Sequence, residues 1–144
     1  LSVFPDATFG LIFHPCSNCF AADIRPVWRE CFRVLRPGGV LLAGFVNPAR
    51  FLFDERRVDE GALIVRHALP YSDLEALSAE ELQQMRIAPH EPLEFGHSLT
   101  DQIGGQLAAG FVLTDLFEDR YPAEVNDPVS RLMDSFIATR AVKN

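Results

Sequence analysis

"RVLRPGGVLLAGFV", residues 33–46, decides how the chain is read. It sets Pro37-Gly38-Gly39 between two apolar segments. In a phosphate-binding loop the glycines follow a strand and open a helix, so that helix N–H groups face the anion. Here the order is reversed. The preceding "RPVWRECFRVL" reads as a helix. Pro26 suits its first turn, and Asp23 stands just ahead as a cap or dipole partner. Val27, Trp28, Cys31, Phe32 and Leu35 recur on one face, with Arg29, Glu30 and Arg33 on the other. The following Val40–Val46 is a continuous apolar strand. A helix C-terminus presents carbonyls, which repel phosphate. The glycines therefore read as a helix stop, with Gly38 or Gly39 as the left-handed C-cap.

Working outward, "TFGLIFHP" holds a short apolar run, Phe9 to His14, that reads as a strand buried on both faces. Strand, helix and strand then form a βαβ unit, whose two strands are parallel neighbours. Residues 47–97 differ in texture. "FLFDERRVDEGALIVRHAL" reads as two short strands around the Asp59-Glu60-Gly61 turn. Ser78 with Glu81 forms a capping box for a short helix. "IAPHEPLEFGHS" reads as loop plus a short strand. The block is an insertion covering one end of the sheet. A helix follows from about Leu99, with Ser98 as cap and Asp101 completing a second capping box. Its apolar stripe is Leu99, Ile103, Leu107 and Ala108. Gly104-Gly105 costs that helix roughly 1 kcal/mol per glycine against Ala, so close packing or a nearby ligand is expected there. Gly110 ends it, Phe111–Asp119 is a third strand, and Ser135–Val142 is the last.

The 144 residues suit one domain with a sizeable core. A net charge of -7 argues against a nucleic-acid partner, which usually meets a basic face. No apolar run approaches the roughly 18 residues of a membrane span. The start lacks the charged and apolar regions of a signal peptide, and lacks Met, so the natural N-terminus is expected upstream. Three cysteines, Cys16, Cys19 and Cys31, suggest reduced thiols and a cytoplasmic setting. Cys16-x-x-Cys19 has the spacing of a redox pair or half a zinc site. His14 is near, but His67, His90 and His97 form no second ligand pair, so no metal is expected. Structural thiols are the blander alternative.

Four pieces stand in order: "FPDATFGLIFH", "VWRECFRVLRPGGVLLAGFVNP", "LTDQIGGQLAAGFVLTDLFEDR" and "FIATRAV". Together they resemble the C-terminal half of class I S-adenosylmethionine-dependent methyltransferases, of the type 11 kind similar to the ubiquinone/menaquinone-biosynthesis group. The resemblance implies an α/β, Rossmann-like partial sheet of strand order 4-5-7-6, the last strand antiparallel to its neighbours, with 47–97 as a lid. It implies S-adenosylmethionine as cofactor and a small-molecule acceptor. The family's glycine loop and the acidic end of its second strand have no counterpart here, so residues 1–144 read as a C-terminal part of the domain that binds the cofactor weakly alone. The strand Phe9–His14 then becomes an exposed edge, and a homo-oligomer or a separate N-terminal half is expected to cover it.

Ligands of open α/β sheets sit beyond the carboxyl ends of the parallel strands. That edge carries His14, Pro15, Cys16, Ser17 and Asn18, the cofactor-side candidates. By resemblance, Leu1 follows an acidic position that helps hold the adenine. The other reading of "HPCSNC" is a turn whose Ser and Asn cap the next segment. Methyl transfer needs alignment, dryness and, for O or N acceptors, a base. His14, His97 and His67 are candidate bases, and Tyr71 and Asn18 orienting groups. "ALPYSDLEAL" and "EFGHSL" are candidate lid segments. Two rivals remain: a non-catalytic oligomerisation or regulatory half-domain, and a thiol redox protein using Cys16 and Cys19.

Overall fold

A computed structural model describes residues 1–87 and 92–144. The four-stranded sheet has the order β1-β2-β6-β5, where β1 is Phe9–His14, β2 Leu35–Val46, β5 Phe111–Asp119 and β6 Phe136–Lys143. β1 and β2 run parallel, and β6 lies antiparallel between β2 and β5, the arrangement the resemblance implies. The parallel pair is joined by α1, Arg25–Val34. Its Trp28 and Cys31 pack with Ile24 and Leu35 on Leu41, Ala43, Phe111 and Ala141 to form the core. The Asp23 carboxylate accepts the Arg25 N–H at 2.9 Å, at the helix start.

The junction after α1 differs from the sequence reading. The helix stops at Val34, and Leu35 is already extended at φ -74°, ψ 138°. Phe9 pairs with Leu35 but Leu11 pairs with Val40, so residues 36–39 bulge out of the ladder. Gly38 takes φ +75° inside this bulge, and a Cβ on Gly39 would stand 2.7 Å from the Arg36 carbonyl oxygen. The glycines thus serve the bulge, not a helix cap. The helix end is met instead by Lys143, whose Nζ lies 2.7 Å from the carbonyl oxygens of both Phe32 and Leu35.

Phe9–His14 is not buried on both faces. Leu11 and Phe13 are 57% and 73% exposed. The helix α1 and the helix Gly105–Ala109 cover the other side of the sheet, and β1 is the end strand of the order, so its outer edge has no strand partner among the described residues.

The segment after Ser98 begins as a π-helix, Thr100–Gly104, and continues as α5, Gly105–Ala109, ended by Gly110 at φ +108°. The Asp101 N–H bonds to Ser98 Oγ at 3.1 Å, one half of the expected box, while the Asp101 carboxylate accepts the Ser98 hydroxyl at 2.7 Å in place of the Ser98 N–H. The buried stripe is not the one expected. Leu99 and Leu107 are exposed, Ala108 too, whereas Gln102 and Gln106 are buried. Gly105 explains the turn of the helix. A Cβ there would sit 2.6 Å from Trp28 Cδ1, so only glycine lets α5 close onto α1. The close packing is on Trp28; Gln102 Oε1 accepts from Asn18 and Gln106 Oε1 from Thr139, while Gln106 Nε2 is buried without a partner among the described residues.

Within 47–97, the two strands expected around Gly61 are a helical turn instead. Phe53 and Val65 form an isolated antiparallel bridge, with α2, Glu55–Asp59, between them. The Asp54 carbonyl takes the N–H groups of Arg57 and Val58, and Val58 is buried, so the first leg coils rather than extends. Gly61 does turn the chain, at φ +84°. A two-stranded sheet pairs β3, Tyr71–Ser72, with β4, Phe95–Gly96. The short helix α3 is Asp73–Ala76 and α4 is Ala79–Ile87. The Ser78 capping box forms both of its bonds: Ser78 N–H to Glu81 Oε2 at 2.8 Å and Glu81 N–H to Ser78 Oγ at 3.2 Å. Of the expected proline-rich loop, residues 88–91, His90 included, lie outside the described residues. Among the described residues no helix is long and apolar enough to cross a membrane.

Candidate functional site

The carboxyl edge of the parallel strands carries a polar turn. β1 ends in His14, and residues 15–17 lead into a single helical turn, Asn18–Phe20. Pro15, Cys16 and Ser17 are exposed. Ser17 does not cap that turn: its Oγ donates to the Pro15 carbonyl at 3.1 Å. Asn18 does not cap it either. It is 2% exposed and spans the site. Its Nδ2 donates to Gln102 Oε1 at 2.8 Å, and its Oδ1 faces His14 Nε2 at 2.5 Å. An amide whose nitrogen is spent on an acceptor must receive through its oxygen. The network therefore assigns the proton to His14 Nε2 and leaves Nδ1 with the lone pair in the neutral ring. The ring also packs edge-on to Trp28 at 5.7 Å.

His97 joins the same turn from the far side. Its Nε2 lies 2.7 Å from the Ala21 carbonyl oxygen and 3.2 Å from that of Asn18. Both partners accept only, so this nitrogen is a donor. His14, Asn18 and His97 are thus brought together. Leu1 is not. Its carbonyl accepts from Arg33 Nη2 at 3.2 Å, and Arg33 lies in the last turn of α1, the end far from this edge.

Beside the turn opens a cleft of about 660 Å³, bounded by Cys19 and Phe20, by Val46 and Phe136 at the strand ends, and by the 47–97 segment. Tyr71 stands in it. Its ring stacks on Phe51 at 5.3 Å and meets His67 edge-on at 4.9 Å. The Tyr71 hydroxyl donates to Asp73 Oδ1 at 2.6 Å, while Asp73 Oδ2 accepts the Glu94 N–H. Burial, then the Asp73 hydrogen bond, push the phenol well above its usual range, so it stays a donor. Burial, together with Arg66, lowers the His67 imidazole despite the carboxylates nearby. β3 and β4 tie the two places together, since Tyr71 pairs with Gly96, the residue before His97.

Cys16 is exposed and Cys19 buried, and both are free thiols. Desolvation raises both, Cys19 to about 11, with Glu94 adding to the effect. A redox pair needs the opposite, a thiolate stabilised below its usual range. Among the described residues no group of three or more His, Cys, Asp or Glu is placed to hold a metal ion.

Gln102 is the site residue the sequence conceals. It lies 84 positions from Asn18, outside the apolar stripe that the sequence marks on this helix.

Comparison with known proteins agrees with this architecture. A family model described as "Methyltransferase domain" matches residues 1–43. "Uncharacterized methyltransferase YbaJ" of Bacillus subtilis (strain 168) is 44% identical over 143 residues, 99% of this chain and 54% of its own length. The chain thus spans about half the length of that relative. An S-adenosylmethionine-dependent methyltransferase from Mesorhizobium loti has a similar fold, with a TM-score of 0.67 at 12% identity over 97% of this chain and 64% of that one. A SAM-dependent methyltransferase from Methanosarcina mazei gives 0.60 at 12% identity over 97% and 61%. With its β1-α1-β2 unit, its antiparallel β6 and a 44% identical relative named a methyltransferase, the chain is similar to methyltransferases in sequence and has the fold of S-adenosylmethionine-dependent ones.

Proposed function

We propose that this chain is the portion of an S-adenosylmethionine-dependent methyltransferase that carries the acceptor cleft, acting on a small molecule, with the glycine-rich cofactor loop supplied by polypeptide outside residues 1–144. The observation that carries this reading is the continuity of the polar turn at 14–18 with the aromatic cleft along one carboxyl edge. The exposed Pro15-Cys16-Ser17 turn, backed by buried Asn18, fits the zwitterionic methionine end of such a cofactor. When bound, that cofactor supplies a methyl group on an electrophilic sulfonium. The chain's own residues do the rest. His14 presents Nδ1 at the strand end, His97 holds the turn, Tyr71 orients the acceptor, and the aromatic walls exclude water. The three free thiols suit a reducing, cytoplasmic setting.

Calorimetry with S-adenosylhomocysteine tests the reading. Residues 1–144 alone are expected to show weak or no binding, and the same chain extended by its upstream coding sequence to bind stoichiometrically. Tight binding by 1–144 alone overturns the need for a second part. No binding by the extended chain overturns the cofactor site.

The bare side of the sheet favours a companion statement. Leu11 and Phe13 project there beside a strand edge that has no partner among the described residues, a surface that invites pairing. Residues 1–144 by themselves should therefore associate, and Leu11→Lys with Phe13→Lys should return them to monomer. Light scattering that finds a monomer at high concentration in the unchanged chain would refute this.

A further inference from the structure

We propose that the cleft beside the 47–97 segment admits an amine, entering as its ammonium, and that His67 takes the proton the amine must shed before it becomes a nucleophile. The inference rests on the reading above, that this chain carries the acceptor side.

Two features select an ammonium. The first is aromatic surface. Phe51 and Tyr71 stack in one wall, and Phe20, Phe53, Tyr121 and Phe136 line the rest. A cation held over such ring faces is attracted by their quadrupoles, more so when desolvated. The second is charge. The lining carries five carboxylates, Asp54, Glu55, Asp59, Asp73 and Glu94, against three guanidiniums, Arg50, Arg56 and Arg66. The ion pairs spend both sides, Arg50 and Arg66 together with Glu55 and Asp54, and the carboxylates still outnumber the guanidiniums. Arg50 is paired with Asp127 and Glu55, and Arg66 with Asp54 and Glu81. A phosphate or carboxylate acceptor would enter against this surplus, and an ammonium with it.

An ammonium has no lone pair to offer a methyl group, so a base is needed. His67 faces the cleft, and its ring nitrogens make no hydrogen bond to protein among the described residues. His14 and His97 each have Nε2 occupied. In the step, one ammonium N–H bond breaks and its electron pair stays on the amine nitrogen. The imidazole lone pair forms a new N–H bond, leaving an imidazolium. The groups facing His67 are Arg66, which opposes that charge, and Asp54, Glu81 and Asp73, which favour it. Burial is the larger influence and lowers the ring, so the imidazole holds the amine's proton only in passing before releasing it to solvent.

The test uses residues 1–144, isotope-labelled, with three probes followed by NMR: benzylamine, benzyltrimethylammonium and benzoate. Both cations should shift Tyr71, Phe20 and His67 resonances in a saturable way, roughly tenfold more tightly than benzoate. Only benzylamine has an N–H to donate to the ring, so only it should shift the His67 ring-nitrogen resonances in the direction of an accepted hydrogen bond. His67→Leu, checked for an unchanged fold by its amide spectrum, should keep benzyltrimethylammonium binding and weaken benzylamine binding several-fold. Equal or tighter benzoate binding, or no saturable shift at the cleft, overturns the proposal. So does a His67 response to benzyltrimethylammonium equal to that for benzylamine. The probes bypass the cofactor, so failure here leaves the S-adenosylhomocysteine result standing, and the reverse.

Discussion

His14 Nε2 and Asn18 Oδ1 face each other at 2.5 Å across the turn that ends β1. The orientation of Asn18 is set from 84 residues away, by the carbonyl of Gln102. Neutral His14 should therefore show the Nε2–H tautomer in long-range 15N spectra. Gln102→Leu leaves the Asn18 amide buried without its acceptor, a loss of about 1–3 kcal/mol. Denaturation that finds the variant within about 0.5 kcal/mol of the parent, the scatter of ordinary surface changes, would show the bond carries no weight.

Neighbouring glycines should respond in opposite directions. Gly105→Ala drives a Cβ to 2.6 Å from Trp28 Cδ1 and should destabilise by about 1–3 kcal/mol through overpacking. Gly104→Ala meets nothing nearer than Thr100 Cγ2 at 3.7 Å and should stabilise, by up to about 1 kcal/mol. Trp28 is the sole tryptophan, so its fluorescence during urea unfolding reports both.

Lys143 closes the last turn of α1 through two 2.7 Å bonds. Lys143→Met keeps the packing stem and removes the charge. It should cost about 1–3 kcal/mol, read as a fall in the thermal midpoint. An unchanged midpoint would mean that water serves those carbonyls equally well.

Arg50 and Asp127 form a largely buried pair at 3.0 Å. Burial pushes the Asp127 carboxyl up, but hydrogen bonds from Ser130 and Arg50 outweigh it and hold the group below its usual range. A carboxylate with a lowered folded pKa contributes stability above its unfolded value of about 3.9, and loses it as pH falls through the folded one. Asp127→Asn should therefore destabilise at neutral pH. The gap between variant and parent should close below about pH 4, as urea midpoints across pH will show.

Much of the scaffold was legible in the amino-acid order. Apolar runs at Phe9–His14 and Val40–Val46, with one amphipathic face between them, oblige a parallel pair bridged by a helix. The Ser78 and Ser98 caps are local chemistry, and both formed. The errors share a cause. At Gly38 and Gly39 the same residues serve a cap or a bulge, and only the register with β1 decides between them. In "DERRVD" the alternation of a strand and the turn of a helix compete, and burial of Val58 favoured the helix.

The candidate site divides the same way. Sequence by itself determined which residues follow the strand ends, because chain direction places the carboxyl edge, and so His14 to Asn18 were legible. What only the tertiary structure decided is which side chains turn toward them. Gln102 faces Asn18 because a missing Cβ at Gly105 lets one helix settle on another, and His67 meets Tyr71 because the short chain between them turns back on itself. Contacts between distant residues arise from how closely surfaces pack, which no local pattern of residues encodes.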